Sequence, residues 1–389
     1  VANDISEFVS AAKKKKATLE QIADILERNG IDIEDIGSVS RINVTEKVSK
    51  DKEGTVSKTA SHSITLSPKW AEGPEWPTVQ QAKPTVIKYS PSKSKKETDL
   101  KKTVILPDTQ IGWLRISDGS LIPMHDEAAM EIGIQIIADE KPDVIINLGD
   151  FLDLSEWSSK FTVYPEFVLT TQAALDTGHE YLARQRATAG PDTEIYLLGG
   201  NHDNRLEIMV ARNTMAALRL RQAKAPDSWP VLSIPFLLRL DDLNVTYVGS
   251  YPAGRIKLAD AHGEQTPLYA LHGEKLDMKK QANSERQSTI QGHTHHVSMH
   301  CETYEVDGMP QQVQSWTLGC LCRIDGAVPS TKGGTDEFGR PYKRQESWQH
   351  AVGVLTETSD GWWIEPIMIH DGTAFYRGKT YKANGSQGS

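Results

Sequence analysis

The 389-residue chain is poor in sulfur and in long apolar stretches: it holds three cysteines, and no run approaches the roughly 20 apolar residues of a membrane span. Three cysteines fit an intracellular chain better than a disulfide framework. Cys320 and Cys322 lack the C-x-x-C spacing of a zinc knuckle or redox pair and are expected to be free structural thiols. A basic excess is missing too. Residues 1–102 carry 18 Lys+Arg against 15 Asp+Glu, and the remainder carries 25 against 37. The body is therefore not a broadly basic surface, so any long nucleic-acid substrate must be held by a local patch or by the front of the chain. Residues 1–16 pass from a polar start into Lys13–Lys16 without an apolar core. No secretory signal or membrane attachment is expected, and the expected location is cytoplasmic. What is present, 38% hydrophobic and 24% charged residues, suits a globular catalytic domain plus one smaller module.

The front reads differently from the rest. Leu19, Ile22, Ile25 and Leu26 recur at helical spacing after Thr18, a candidate N-cap, and Asn29-Gly30 supplies a stop. A second short helix is expected over 31–37, then β-branched strands over 39–48 and 55–66 joined by a loop at 50–54. Helix, turn, short helix and hairpin is the order of a winged helix, a DNA-reading module. Asp32, Glu34 and Asp35 nonetheless sit where a recognition helix favours Arg, Lys or Asn, so a docking or structural role stays open for this module, residues 1–67. Lys13–Lys16 are either phosphate contacts or a solvated helix end. Five prolines, Trp70, Trp76 and a lysine cluster at 93–96 mark residues 68–99 as an extended linker.

The body is expected over 100–382, with a flexible tail at 383–389. An apolar run at 103–107 ends at Asp108, one at 144–148 leads to Gly149-Asp150, and one at 194–198 leads to Gly200-Asn201. Helical patterns starting near Pro123 and ending at Glu140, and over about 165–186, lie between them. Strand, helix, strand, helix, strand predicts a parallel α/β half. Further strands at 245–248, 268–271, 312–318, 351–356 and 362–369 predict a second, mainly antiparallel sheet packed on the first. No internal repeat is present.

Five polar clusters follow these runs: Asp108-Thr109-Gln110, Gly149-Asp150-Phe151-Leu152-Asp153, Gly200-Asn201-His202-Asp203, His272-Gly273 and Gly292-His293-Thr294-His295. Placed on strand ends, they gather at the carboxyl edge of a sheet, where open α/β sheets bind ligands. Carboxylates, an amide and imidazoles are the mixture that two adjacent divalent cations require. His293 and His295, two apart, would project to one side of an extended segment.

In order and spacing these clusters resemble the calcineurin-like metallophosphoesterase superfamily, whose pattern is D-x-H, G-D-x-x-D, G-N-H-D/E, a lone H and G-H-x-H. The resemblance implies an α/β fold, a two-sheet sandwich flanked by helices (αββα). It implies two divalent ions, bridged by Asp150, with Asp108, Gln110 and His295 completing one site and Asn201, His272 and His293 the other. It implies that a metal-bridging hydroxide attacks the phosphorus in line, while His202, oriented by Asp153, donates a proton to the leaving group or holds the phosphate.

Two departures refine the expectation. Gln110, a harder ligand, replaces the usual histidine and suits Mn²⁺ better than Zn²⁺, so Mn²⁺ is the expected ion, with Fe, Zn²⁺, Ni or Mg²⁺ as alternatives, and metal loss on purification is expected. Leu154-Ser155 and Asp203 replace the Arg-Gly and Glu of protein phosphatases, which disfavours that branch. The expected activity is phosphodiester hydrolysis on nucleic acid, as in a DNA nuclease, with the front module as tether. The alternatives are a small-molecule nucleotide phosphodiesterase or pyrophosphatase and, from another class, a non-catalytic nucleic-acid-binding protein. Arg205 either contacts a substrate phosphate or pairs with an acid at a helix start. His125 is expected at the surface, Trp157 in packing or stacked on a base, His296 and His300 near or outside the site, and the polar loop 325–344 as a substrate lid.

Overall fold

In a computed structural model of the full chain, the described residues are 26–30, 32, 36–50, 52, 54, 56–68, 100–158, 165–225, 227, 229–328, 334–336, 338–342 and 346–383. Pro68, expected to open the linker, instead ends a strand; the rest of the linker, the lysine cluster at 13–16, most of the first helix and the tail after 383 lie outside them. The chain divides into two compact units, residues 1–93 and 94–389. In the first, β1 (Ile36–Lys50) pairs antiparallel with β2 (Val56–Pro68), in register from Lys50 opposite Val56 to Arg41 opposite Thr65, then with register shifts between Arg41 and Val39 and between Ser38 and Ile36. Recurrent β-branched residues, among them Val39, Ile42, Val44, Val48 and Ile64, favour this extended pair, and Gly54 takes the left-handed φ of 89° in the connection. The expected second helix cannot run past residue 35, because Ile36 opens β1.

The second unit is built on an eight-stranded sheet. Its parallel half is β3 (Lys101–Leu106), β6 (Val144–Asn147), β7 (Glu194–Leu198) and β8 (Val245–Val248), neighbours in that order. β14 (His350–Thr358) joins antiparallel to β3 and continues through β15 (Gly361–His370), β16 (Thr373–Tyr376) and β17 (Lys379–Lys382). A five-stranded sheet follows the order β12 (Val297–Val306), β13 (Met309–Leu318), β11 (Ser288–Gln291), β10 (Leu268–Leu271) and β9 (Arg255–Ala259). β4 (Trp113–Arg115) and β5 (Leu121–Pro123) form a small ribbon. Strands 245–248, 351–356 and 362–369 thus belong to the first sheet, a correction to the expected division. The second sheet is mixed: β10 runs parallel to β11, and β11 to β13.

The period-two alternation of buried strands explains the layering. Val104, Leu106, Ile145, Ile195, Leu197, Val352 and Val354 pack with α1 (Glu127–Glu140) and α2 (Thr171–Ala189). Their neighbours Ile105, Ile146, Leu198 and Leu355 face the other way and join Leu258, Leu268, Ala270, Ile290 and Leu318 of the second sheet. Met278 and Ala282 of a further helix (Met278–Glu285) are buried against that sheet, which completes a two-sheet sandwich flanked by helices. α1 starts at Glu127 rather than near Pro123, since Asp126 caps it by accepting from the Ala129 N–H at 2.8 Å and Pro123 closes β5. No described helix is long and apolar enough to cross a membrane.

Candidate metal centre

All five clusters leave the carboxyl ends of parallel strands: β3 delivers Asp108 and Gln110, β6 Asp150, β7 Asn201, β10 His272 and β11 His293 and His295. The turns are sharp. Asp108, Gln110, Asp150, His293 and His295 all hold positive φ, between 36° and 66°, five of the seven expected ligands. Non-glycine residues avoid this region unless the surroundings impose it, and such strain concentrates at functional sites. The histidine pair thus sits in a loop rather than on the expected extended segment, and left-handed backbone at both residues turns their rings into the centre.

Two groupings result. On one side, His295 Nε2 lies 3.3 Å from Asp108 Oδ1 and 3.3 Å from Gln110 Nε2. On the other, Asn201 Oδ1 lies 2.8 Å from His293 Nδ1 and 3.1 Å from His272 Nε2, which is itself 3.3 Å from Asp150 Oδ2. Asp150 also accepts the His202 N–H at 2.7 Å, and Asp108 accepts the His293 N–H with both oxygens. The loops interlock so closely that two glycines are obligatory. A Cβ at Gly200 would collide with Asp150, and one at Gly292 with the Asp108 carboxylate.

The electrostatics call for a cation. Burial works against the Asp150 carboxylate, but the neighbouring imidazoles of His202 and His272 and the His202 N–H hold it well below its ordinary range. Burial likewise opposes protonation of His272, yet Asp150 and Asp108 lift it to about 9. His293 is pushed down, by burial and then by the His272 charge. A buried imidazolium among carboxylates answers the same demand for positive charge that a divalent ion would meet. Gln110 Oε1 is buried without a hydrogen-bond partner, an arrangement that costs about 1–3 kcal/mol and that a cation would relieve. His272 Nδ1 lies 2.9 Å from the Leu148 carbonyl, which fixes its proton there and frees Nε2 for a metal. Asp150, His272 and His293 offer ligand atoms within 4.8 Å of one another. The residues fit two divalent ions: Asp108, Gln110, Asp150 and His295 would hold one, and Asp150, Asn201, His272 and His293 the other.

The calcineurin-like phosphoesterase family model matches residues 125–310. This match supports membership of the calcineurin-like superfamily. It also supports a metal-dependent phosphoesterase, and it covers every cluster except the first, which precedes residue 125. No curated protein sequence matches the chain significantly. Among solved structures, YfcE, a phosphoesterase from E. coli, is 11% identical with a TM-score of 0.29, covering 73% of this chain and 100% of its own. Vacuolar protein sorting 29 from Cryptosporidium parvum is 11% identical with a TM-score of 0.32, covering 73% of this chain and 98% of its own. At that level neither likeness carries information on substrate.

Beside the ligands, His202 Nδ1 lies 3.0 Å from Asp153 Oδ1, and Arg205, the first residue of α3 (Arg205–Asn213), places Nη2 2.9 Å from His202 Nε2. A guanidinium only donates, so Nε2 accepts here and Nδ1–H donates to Asp153. His202 can protonate a leaving group only once that contact opens and Nε2 has taken up a proton from water. Arg205 Nη1 also donates to the Asp153 carbonyl at 2.7 Å, so this arginine pairs within the site's own frame. Asp203 accepts from the N–H groups of Gly200, Phe151 and Leu152, tying two ligand loops together. His125 is a correction: it is 2% exposed, lies 3.2 Å from the Gly112 carbonyl through Nδ1 and packs edge-on to Trp113. Trp157 packs on the helical core and donates to Thr171 Oγ1, His300 pairs with Glu302, and His296 is exposed. Parts of loop 325–344 lie outside the described residues.

Sequence reasoning missed Tyr251, whose ring stands edge-on to His272 at 5.7 Å, and Trp348, edge-on to His295 at 4.2 Å. Neither occupies a motif position, so only the fold could bring them there.

Proposed function

We propose that this chain is a dinuclear-metal phosphodiesterase acting on nucleic acid, a DNA nuclease in kind, with Mn²⁺ as the working ion. The observation that carries the reading is the convergence of seven ligand side chains from five strand ends on one buried, cation-demanding centre. Two divalent ions there would polarise phosphoryl oxygens and lower the pKa of water for in-line attack. The chain's own groups do the rest. Asp153 orients the His202 ring, and Arg205 sits where it can exchange its hydrogen bond to His202 for one to an incoming phosphate oxygen. The exchange would free His202 Nε2 to take up a proton from water and then face the leaving group. Residues 1–67, with their hairpin, would serve as the nucleic-acid tether.

The test is hydrolysis by Mn²⁺-loaded protein of bis-p-nitrophenyl phosphate alongside single- and double-stranded DNA and RNA. Turnover of the small ester with every polymer left intact would refute the nuclease and keep the phosphodiesterase. A nucleotide-sized substrate is the second reading, favoured by the acidic balance of residues 103–389, with 25 Lys+Arg against 37 Asp+Glu, and by Gln110 in the first cluster. Release of mononucleotides from cyclic or diphosphate-linked nucleotides would decide for it.

A further inference from the structure

At the edge of the His295 ring opposite Asp108 lies a pair of thiols that the dinuclear reading does not use. Cys320 and Cys322 follow β13 and are fully buried, and His295 Nδ1 lies 3.9 Å from Cys322 Sγ. The two sulfurs and an imidazole nitrogen all fall within 4.8 Å of one another. Around a tetrahedral zinc ion, metal–ligand bonds of 2.0–2.3 Å place sulfur and nitrogen roughly 3.6 Å apart, so the Cys322–His295 pair needs to close by only a few tenths of an ångström and Cys320 by about 1 Å at most.

The turn that carries the thiols is fixed from several directions. Leu321 N–H donates to the Asp108 carbonyl at 3.0 Å, Cys320 N–H to Gln349 O at 3.0 Å, and His350 Nε2 to Cys322 O at 2.7 Å. Gln349 N–H returns to the His295 carbonyl at 3.0 Å, so ring and thiols belong to one frame. The hydrogen bonds open to Cys320 Sγ are long, 3.7 Å to Gln349 O and 3.9 Å to Cys322 O, the weak contacts of an S–H donor. A dry, preorganised set of two sulfurs and one imidazole is soft, unlike the oxygen-rich centre beside it, and soft donors select Zn²⁺ or Cu⁺ over Mn²⁺ and Mg²⁺.

We propose that Cys320, Cys322 and Nδ1 of His295 form a closed site for a thiophilic cation, distinct from the dinuclear centre and joined to it through one shared imidazole. Both thiols release their protons on binding. With a second ion on Nε2, the ring gives up its remaining proton as well and links the two sites. The sulfur site stands on its own geometry, whereas the link rests on the dinuclear reading.

Full-length protein carrying Cys301→Ser, which removes the exposed thiol, is stripped with a chelator and titrated with Co²⁺. The expected result is a thiolate-to-Co²⁺ charge-transfer band that reaches the final intensity of one thiolate-bound Co²⁺ per chain, is bleached by Zn²⁺ and is absent from Cys322→Ser. Folded protein that takes up Co²⁺ with d–d absorption alone overturns the sulfur site and spares the dinuclear centre. A band that survives Cys322→Ser overturns it too. In Asp150→Asn the band is expected to persist, so loss of the dinuclear reading and loss of this one give different spectra.

Discussion

Substituting Gly292 by alanine tests the interlocked loops. The new Cβ falls on Asp108 Oδ2 and comes within 3.3 Å of the Leu148 carbonyl oxygen. Asp108 is 1% exposed and held by the His293 N–H at 2.9 and 3.1 Å, so it cannot swing aside without losing that contact. A hydrogen bond to a charged group is worth about 1.5–3 kcal/mol, and overpacking costs about 1–3 kcal/mol. The metal-free protein should therefore lose about 3 kcal/mol. The displaced carboxylate also leaves the Gln110–His295 side with Asp150 as its one acid. At a hundredfold excess over Kd each bound ion stabilises by about 2.7 kcal/mol, so a two-ion protein gains roughly twice what a one-ion protein gains. Chemical denaturation with and without saturating Mn²⁺, and metal counting by mass spectrometry, read both quantities. Two ions bound and an undiminished metal-linked gain in the Gly292→Ala protein would show that Gly292 does not guard Asp108.

Burial holds His125 down to about 4, so the unfolded chain binds its proton first as pH falls. Stability from this group is complete above about pH 6.5 and is lost towards pH 4, about 2 kcal/mol between pH 7 and 5. His125→Asn, measured by urea denaturation in chelator, should remove that part of the pH dependence. Asp203→Asn turns an amide N–H₂ towards backbone N–H donors and should cost about 1–3 kcal/mol in the same assay. His202→Ala and Asp150→Asn should both abolish turnover of bis-p-nitrophenyl phosphate, and retained activity in both would sink the proposed roles. Arg205→Met should raise KM more than it lowers kcat if the arginine binds the substrate phosphate; a fall in kcat alone would assign it to holding His202.

Three strands of the parallel half, β3, β6 and β7, were legible because they read as largely apolar buried runs that lead to a polar cluster. Residues 144–147 and 194–198 fell where expected for that reason. Membership of the later strands was not legible. β14 carries the same apolar character whichever sheet it joins, and only its pairing of Gly353 with Ile105 decides the matter. Short strands such as β9, β11, β16 and β17 give too few residues for a period to show.

The centre divides along the same line between local and non-local information. Gly200 and Gly292 stand beside ligands in the sequence, and their reason lies in space: each gives a carboxylate from another loop room to pass. Motif spacing carries that reason implicitly. Nothing local records that Arg205 closes His202 Nε2 or that His295 turns its second nitrogen to Cys322, because each depends on a side-chain direction. Those two contacts bear on the imidazoles whose free nitrogens matter most. Proton delivery by His202 waits on Arg205, and the ligand strength of His295 depends on what holds its Nδ1, since a proton shared with sulfur and a bound cation polarise the ring differently.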